Sequence, residues 1–194
     1  TPVFAQQSDL LSCYSRGDHH YTLKGAYVTY QSVCEAFGIR ASEISIAETQ
    51  SDLLGTYNRK LYDLSPVREA MQVVQTPFPE YERLDNGAAS DTPLIRIRGS
   101  GQSLYGDYMG GDIAETCIRT DRSSLPTALI FGDSFTNAVE SLAYYSFDEM
   151  RSVDLRHYKT QSISDYIAAY QPDVVICIRD YEALLSRSDN GGLS

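Results

Sequence analysis

Three short stretches of this chain carry residue types that can do covalent chemistry together. The first is Gly132-Asp133-Ser134-Phe135, which follows the apolar run Ala128-Leu129-Ile130-Phe131 and precedes a helix-like segment from Asn137 to Tyr144. A strand that turns into a helix projects the turn residue at the carboxyl edge of a sheet, with its backbone N–H near a helix N-terminus. Ser134 there can attack an acyl carbon if a base takes its proton. The plainer reading is that Ser134 caps the helix. The second stretch is Asp18-His19-His20-Tyr21, which contains two of the three histidines in the chain. An Asp-x-His spacing in a turn lets the carboxylate reach an imidazole Nδ1, fixing its tautomer and stabilising the imidazolium formed in catalysis. Asp18 and His20 can thus be orienter and base. The same residues can also be a solvated lead-in to the next helix, or, with His19, ligands for zinc or manganese. His157, in Asp154-Leu155-Arg156-His157-Tyr158, has no acid placed before it in this way.

These groups need elements to bring them together. Leu23, Ala26, Tyr27, Tyr30, Cys34 and Phe37 recur at helical spacing, with Thr22 as N-cap and Gly38 as stop, so Leu23 to Phe37 is predicted as a helix. Ser65-Pro66 can open another helix, or Met71 to Thr76 can be a strand. Ala128 to Phe131, Met150 to Leu155 and Val174 to Ile178 are short apolar runs separated by segments of helical length, the pattern of βαβ units around a parallel sheet. Ser164 to Tyr170 is predicted as a crossover helix, Leu94 to Arg98 as a peripheral strand, and Asp85 to Asp91 and Gly99 to Gly106 as loops.

The whole chain has 194 residues, which predicts one domain over residues 1–194. Lys plus Arg is 16 against 26 for Asp plus Glu, giving a net charge of -10, which argues against nucleic acid and anionic membrane surfaces as partners. No apolar run approaches the roughly 18 residues of a membrane span. Cys13, Cys34, Cys117 and Cys177 show no CxxC spacing, and Cys177 sits inside the apolar run from Val174 to Ile178, where a buried thiol is expected.

The residues also carry a resemblance. The segment from Tyr14 to Tyr27, containing Asp18-His19-His20-Tyr21, resembles the signature of the bacterial DHHW family, in the alginate O-acetyltransferase-like branch of the SGNH hydrolases. The likeness continues in order through Leu54-Gly55-Thr56-Tyr57, Tyr108-Met109-Gly110-Gly111-Asp112, Gly132-Asp133-Ser134-Phe135 and Val153 to Tyr158. It implies a three-layer, flavodoxin-like α/β fold with a mostly parallel central sheet. It further implies a triad with Ser134 as nucleophile, His20 as base and Asp18 as orienting acid, and needs no cofactor or metal. Oxyanion donors would come from Ser134 and from Gly110, Gly111 and Asp112. Substrate-binding candidates at the same edge are His19, Tyr21, Tyr108 and Arg179. Tyr21 stands where the signature has Trp, and Asp112 where relatives carry Asn, so an ionised Asp112 would repel an oxyanion.

The resemblance implies a serine esterase or O-acetyltransferase acting on acetyl groups of polysaccharide, outside the cytoplasm of a bacterium and alongside partner proteins of a polysaccharide-modification system. The chain is then expected to be the C-terminal part of a longer precursor. Two other readings stand beside this one. Fifteen tyrosines and no tryptophan suit a non-catalytic glycan- or protein-binding module. A metal-dependent hydrolase would use Asp18, His19 and His20 as ligands.

Overall fold

The structure, a computed structural model, describes residues 2–181 and 183 apart from 63, 65 and 100. Helix α1 (Pro2–Ala5) and a 3-10 turn (Leu10–Cys13) lead to helix α2 (Leu23–Ala36). Strand β1 (Ile46–Leu53), helix α3 (Thr56–Lys60) and strand β2 (Ala70–Val74) follow. Next come β3 (Glu82–Asp85), β4 (Ala88–Ala89), β5 (Gln102–Ser103), a 3-10 turn (Tyr105–Asp107) and β6 (Glu115–Arg119). The last third holds β7 (Ala128–Gly132), α4 (Thr136–Ala143), a 3-10 turn (Tyr144–Ser146), β8 (Glu149–Asp154), α5 (Ile163–Tyr170) and β9 (Val174–Ile178). Among the described residues no helix is long and apolar enough to cross a membrane.

The chain is mixed α/β with two sheets. The larger has the strand order β4-β3-β6-β8-β7-β9 and the smaller β2-β1-β5. The three apolar runs of the second half are adjacent strands, and β8, β7 and β9 run parallel as expected. The sheet as a whole is not mostly parallel: β6 pairs antiparallel with both β3 and β8, and β3 with β4. The parallel part is thus confined to β8, β7 and β9, and the β4-β3-β6 side of the sheet is antiparallel. The β3–β4 hairpin turns at Asn86 and Gly87, both at positive φ (51° and 81°), so the expected loop from Asp85 to Asp91 is partly a two-residue hairpin.

Strand β7, central among the parallel strands, is buried at every position, which is why its sequence is a nearly continuous apolar run; β8 intersperses Glu149, Arg151, Ser152 and Asp154, and β9 leaves Cys177 exposed. Ala128, Ile130, Met150, Val174 and Ile176 pack in the core that holds α2 and α4. Leu129, Phe131, Val153 and Leu155 pack with Ile163 and Tyr166 of α5 on the opposite face. Each fully buried Leu or Ile here is stabilised by about 1.5–3 kcal/mol of transfer free energy. Helix α2 begins as predicted, with Thr22 Oγ1 accepting from the Gly25 N–H at 3.3 Å, and stops at Gly38, whose φ is +66°. Gly25 lies against the 3-10 turn so closely that a Cβ would meet the Cys13 carbonyl oxygen at 2.4 Å.

Of the two readings open for the stretch after Pro66, the strand holds: Ala70–Val74 pairs antiparallel with β1, and Asn58 bonds both backbone groups of Val67 just before it (2.8 and 2.9 Å); Ser65 lies outside the described residues. Two expectations change. Leu94 to Arg98 forms only an isolated bridge between Ile95 and Tyr108. Cys177 is exposed, since β9 is an edge strand; all four cysteines are free thiols.

Candidate active site

The segment from Tyr14 to Tyr21 is a loop closed on itself. Tyr14 and Tyr21 form an antiparallel bridge, and the Ser15 N–H donates to the His20 carbonyl at 3.3 Å. Asp18 and His20 therefore project from one tight excursion, and both are buried, at 3% and 5% exposure. A buried carboxylate must be satisfied on every side. Asp18 Oδ1 accepts from the His20 N–H at 3.0 Å and lies 2.5 Å from His20 Nδ1. Its Oδ2 accepts from the backbone N–H of Thr56 at 2.6 Å and from Thr56 Oγ1 at 3.0 Å. Burial works to raise the Asp18 pKa, but the hydrogen bond with His20 and the backbone donors outweigh it and hold the carboxyl well below the usual carboxylate range.

Helix α3 brings Thr56 to this point because Gly55 has no side chain. A Cβ on Gly55 would lie 2.0 Å from the Gly17 carbonyl oxygen, which accepts from the Tyr57 N–H at 3.0 Å.

Ser134 comes from the other half of the chain. Strand β7 ends at Gly132, where a Cβ would sit 1.7 Å from the Ile178 carbonyl oxygen of β9. The following turn is fixed by Asp133, whose Oδ1 accepts from Phe135 N at 3.0 Å and whose Oδ2 accepts from Asp180 N at 2.9 Å. Ser134 Oγ lies 2.8 Å from His20 Nε2. The serine hydroxyl is thus engaged by the imidazole instead of capping α4, whose N-cap is Phe135. Asp18–His20–Ser134 is one unbroken chain of hydrogen bonds whose second link, His20 to Ser134, crosses 114 positions of sequence.

The His20 ring is packed among aromatic rings. Tyr105 stacks flat on it, and Phe135 lies 4.7 Å away, centroid to centroid. Neither residue was singled out from the sequence, because aromatic spacing says nothing about which ring a folded chain lays on an imidazole.

The remaining candidates divide. His19 is at the mouth, with 39% of its side chain exposed and Nδ1 3.2 Å from Thr56 Oγ1. Burial, and then the neighbouring His20, lower its pKa. Tyr21 and Tyr108, expected to meet substrate, are instead buried at 9% and 3% exposure. Their hydroxyls donate to the carbonyls of Phe135 and of Gln72, the latter at 2.7 Å, so they brace the framework. Burial pushes both phenols above their ordinary pKa. Arg179 is half-buried directly after β9.

Among the backbone oxyanion candidates, the Gly111 N–H is engaged with the Tyr108 carbonyl at 3.1 Å. Met109, Gly110 and Gly111 all have positive φ (58°, 82° and 97°), and Arg83 clamps the Met109 carbonyl at 2.6 Å. Asp112 does not stand as an isolated charge. Its Oδ1 accepts from Arg156 at 2.9 Å and from the Asn137 amide at 3.4 Å. Asn137, in the first turn of α4, supplies an amide beside Asp112 that the sequence reading did not weigh.

Among the described residues, two sets of side chains have ligand atoms close enough for a cation: Asp18, His19 and His20, and Asp112, Asp154 and His157. In the first, both His20 nitrogens are engaged by Asp18 and Ser134. In the second, the Arg156 guanidinium bonds both carboxylates, at 2.9 and 2.6 Å.

No family model matches the sequence, and no curated protein does. Solved structures match in fold. A DHHW family protein from Eubacterium siraeum superposes with a TM-score of 0.78 at 19% identity, covering 93% of this chain and 63% of that one. PatB1 of Bacillus cereus matches with a TM-score of 0.70 at 20% identity over 91% of this chain; the structure covers 65% of unmodified PatB1 and 63% of PatB1 with a sulfonyl adduct. This chain therefore spans less than two thirds of these neighbours' length. The motif order read in the sequence and the backbone likeness agree: this chain resembles the DHHW family and has the fold of the DHHW family protein from Eubacterium siraeum.

Proposed function

We propose that this chain is a serine esterase or O-acetyltransferase of the SGNH type, acting on acetyl groups of cell-surface or extracellular polysaccharide. The observation that carries the reading is the continuous Asp18–His20–Ser134 chain, with contacts of 2.5 and 2.8 Å. His20 Nε2 takes the proton from Ser134 Oγ as the oxygen bonds to the acyl carbon, giving a tetrahedral oxyanion. Collapse of that intermediate expels the alcohol, which receives the proton from His20, and leaves the acyl group on Ser134. Water or a sugar hydroxyl then repeats the sequence in reverse. Asp18, ionised and fully hydrogen-bonded, stabilises the imidazolium in each half-reaction. The backbone N–H groups of Ser134 and Gly110 are the preferred oxyanion donors, with Asn137 close by in the first turn of α4.

Polysaccharide as the substrate, partner proteins of a modification system and a location outside the cytoplasm rest on the family resemblance. The single-domain reading, with further chain upstream in a longer precursor, belongs to the same proposal.

The test is hydrolysis of p-nitrophenyl acetate by the purified chain beside Ser134→Ala and His20→Ala, with and without EDTA. Activity abolished in both variants and indifferent to EDTA supports the triad. Equal rates in all three chains refute it and favour the binding module, while loss of activity with EDTA favours the metal-dependent reading. A sulfonyl fluoride should add a sulfonyl group to Ser134 by displacing fluoride, an outcome that intact-mass and peptide mapping detect.

A further inference from the structure

The smaller sheet has no part in the chemistry just described, yet it touches the loop that carries the acid. Glu69, the residue before β2, is tied to β1 through its carbonyl, which accepts from the Leu53 N–H at 2.8 Å. Its carboxylate meets three consecutive residues of the Asp18 loop. Oε1 accepts from Ser15 Oγ and from the Gly17 N–H at 3.2 Å, and Oε2 accepts from the Arg16 N–H at 3.0 Å. Ser15 Oγ in turn accepts from the Asp18 N–H at 2.9 Å. A hydroxyl has one proton; by donating it to Glu69, Ser15 turns a lone pair to Asp18. The hydrogen-bonded chain that ends at Ser134 thus begins at Glu69.

We propose that Glu69 is a positioning residue for the Asp18–His20 pair, acting from the smaller sheet through Ser15. The inference rests on the triad reading above. A carboxylate suits the place because it only accepts, and all three partners are donors; an amide would present N–H to one of them. The same loop is also held by Gly55, Tyr57 and Thr56, so the excursion from β1 through α3 to β2 grips residues 15–18 at several points. Without that grip, the loop keeps its Tyr14–Tyr21 bridge, its own hydrogen bonds and the contacts of His20 and Tyr21 with Ser134, Tyr105 and Phe135. Misplacement of a catalytic group by about 1 Å can cost up to about 10²-fold in rate.

The experiment compares wild type, Glu69→Ala, Glu69→Gln, Asp18→Asn and the Glu69→Ala/Asp18→Asn double variant. Two rates are read for each folded chain: p-nitrophenyl acetate hydrolysis, and sulfonylation of Ser134 by phenylmethylsulfonyl fluoride followed over hours by mass. Glu69→Ala should lower kcat by about 10-fold to 10²-fold with little change in KM, and Glu69→Gln should lose less. In the Asp18→Asn background, Glu69→Ala should cost nothing further, because the effect travels through Asp18.

Wild-type rates in Glu69→Ala and Glu69→Gln, with Asp18→Asn impaired, overturn the positioning role and leave the triad standing. The same fractional loss with and without Asp18 also overturns it, since that is general destabilisation. If Glu69→Ala does not fold, Glu69→Gln decides by the same two comparisons. Neither hydrolysis nor Ser134 labelling in wild type overturns the triad reading itself, and this proposal with it.

Discussion

The imidazole of His20 lies flat against the phenol of Tyr105, with ring centroids 3.6 Å apart and planes 3° from parallel. A ring face in that position attracts the imidazolium more than the neutral imidazole, an effect of about 0.5–2 kcal/mol. Tyr105→Leu should therefore lower kcat for p-nitrophenyl acetate by about 2- to 30-fold. Tyr105→Phe, which keeps the face, should stay near wild type. Equal losses in the two variants would attribute the effect to the hydroxyl.

Ser134 and His20 act on one proton, so their substitutions should not add. Each alanine variant should lose about 10²-fold or more, and the double variant should be no slower than the worse single one. Multiplying losses in steady-state assays would separate the two residues into independent roles.

Thr56 donates to Asp18 through both its N–H and its hydroxyl. Thr56→Val leaves the backbone donor and removes one hydrogen bond to a buried charge, so it should destabilise the chain by about 1.5–3 kcal/mol in urea unfolding. It should also slow turnover, whereas Thr56→Ser should preserve both. The Thr56 contact is dispensable if Thr56→Val unfolds at the wild-type midpoint.

Glu140 sits at 5% exposure on α4, accepting from Ser152 Oγ at 2.9 Å. Burial pushes its pKa up, against the hydrogen bonds of Thr136 and Ser152 and the charge of Arg83. The native state then holds a proton that the unfolded chain has already released. Stability should fall as pH rises above the ordinary Glu value near about 4.3 and level off once the pH passes the raised folded pKa. Glu140→Gln should flatten this slope in denaturation series at several pH values. An unchanged slope would place its origin in another group.

Much of this protein is written locally. Helix α2 was legible because Leu23, Ala26, Tyr30 and Cys34 repeat at helical spacing between a Thr22 cap and Gly38, features that act within a few residues. The run that became β7 was legible because a strand covered on both faces is apolar throughout, and those of β8 and β9 because their core-facing residues Met150, Val174 and Ile176 stand in short apolar stretches. Asp18, His20 and Ser134 were legible as types, since Asp-x-His and a strand-to-helix serine each have a local chemical meaning.

Tertiary structure alone decided what lies beside what. The antiparallel half of the large sheet follows from which strands β6 pairs with, and the strand character of β2 follows from its pairing with β1, whose Ile46 lies 28 positions from its partner Val74. Tyr21 and Tyr108 have the same composition signature as surface tyrosines, and only packing turned them inward. Tyr105 and Thr56 reach the Asp18–His20 pair across 85 and 38 positions, and Glu69 reaches Ser15 to Gly17 beside it across 52 to 54, over which neither periodicity nor spacing carries information. Side-chain type and local pattern are short-range properties of the chain; a hydrogen bond or a ring contact depends on where the folded backbone returns, and that is set by the burial of the whole core.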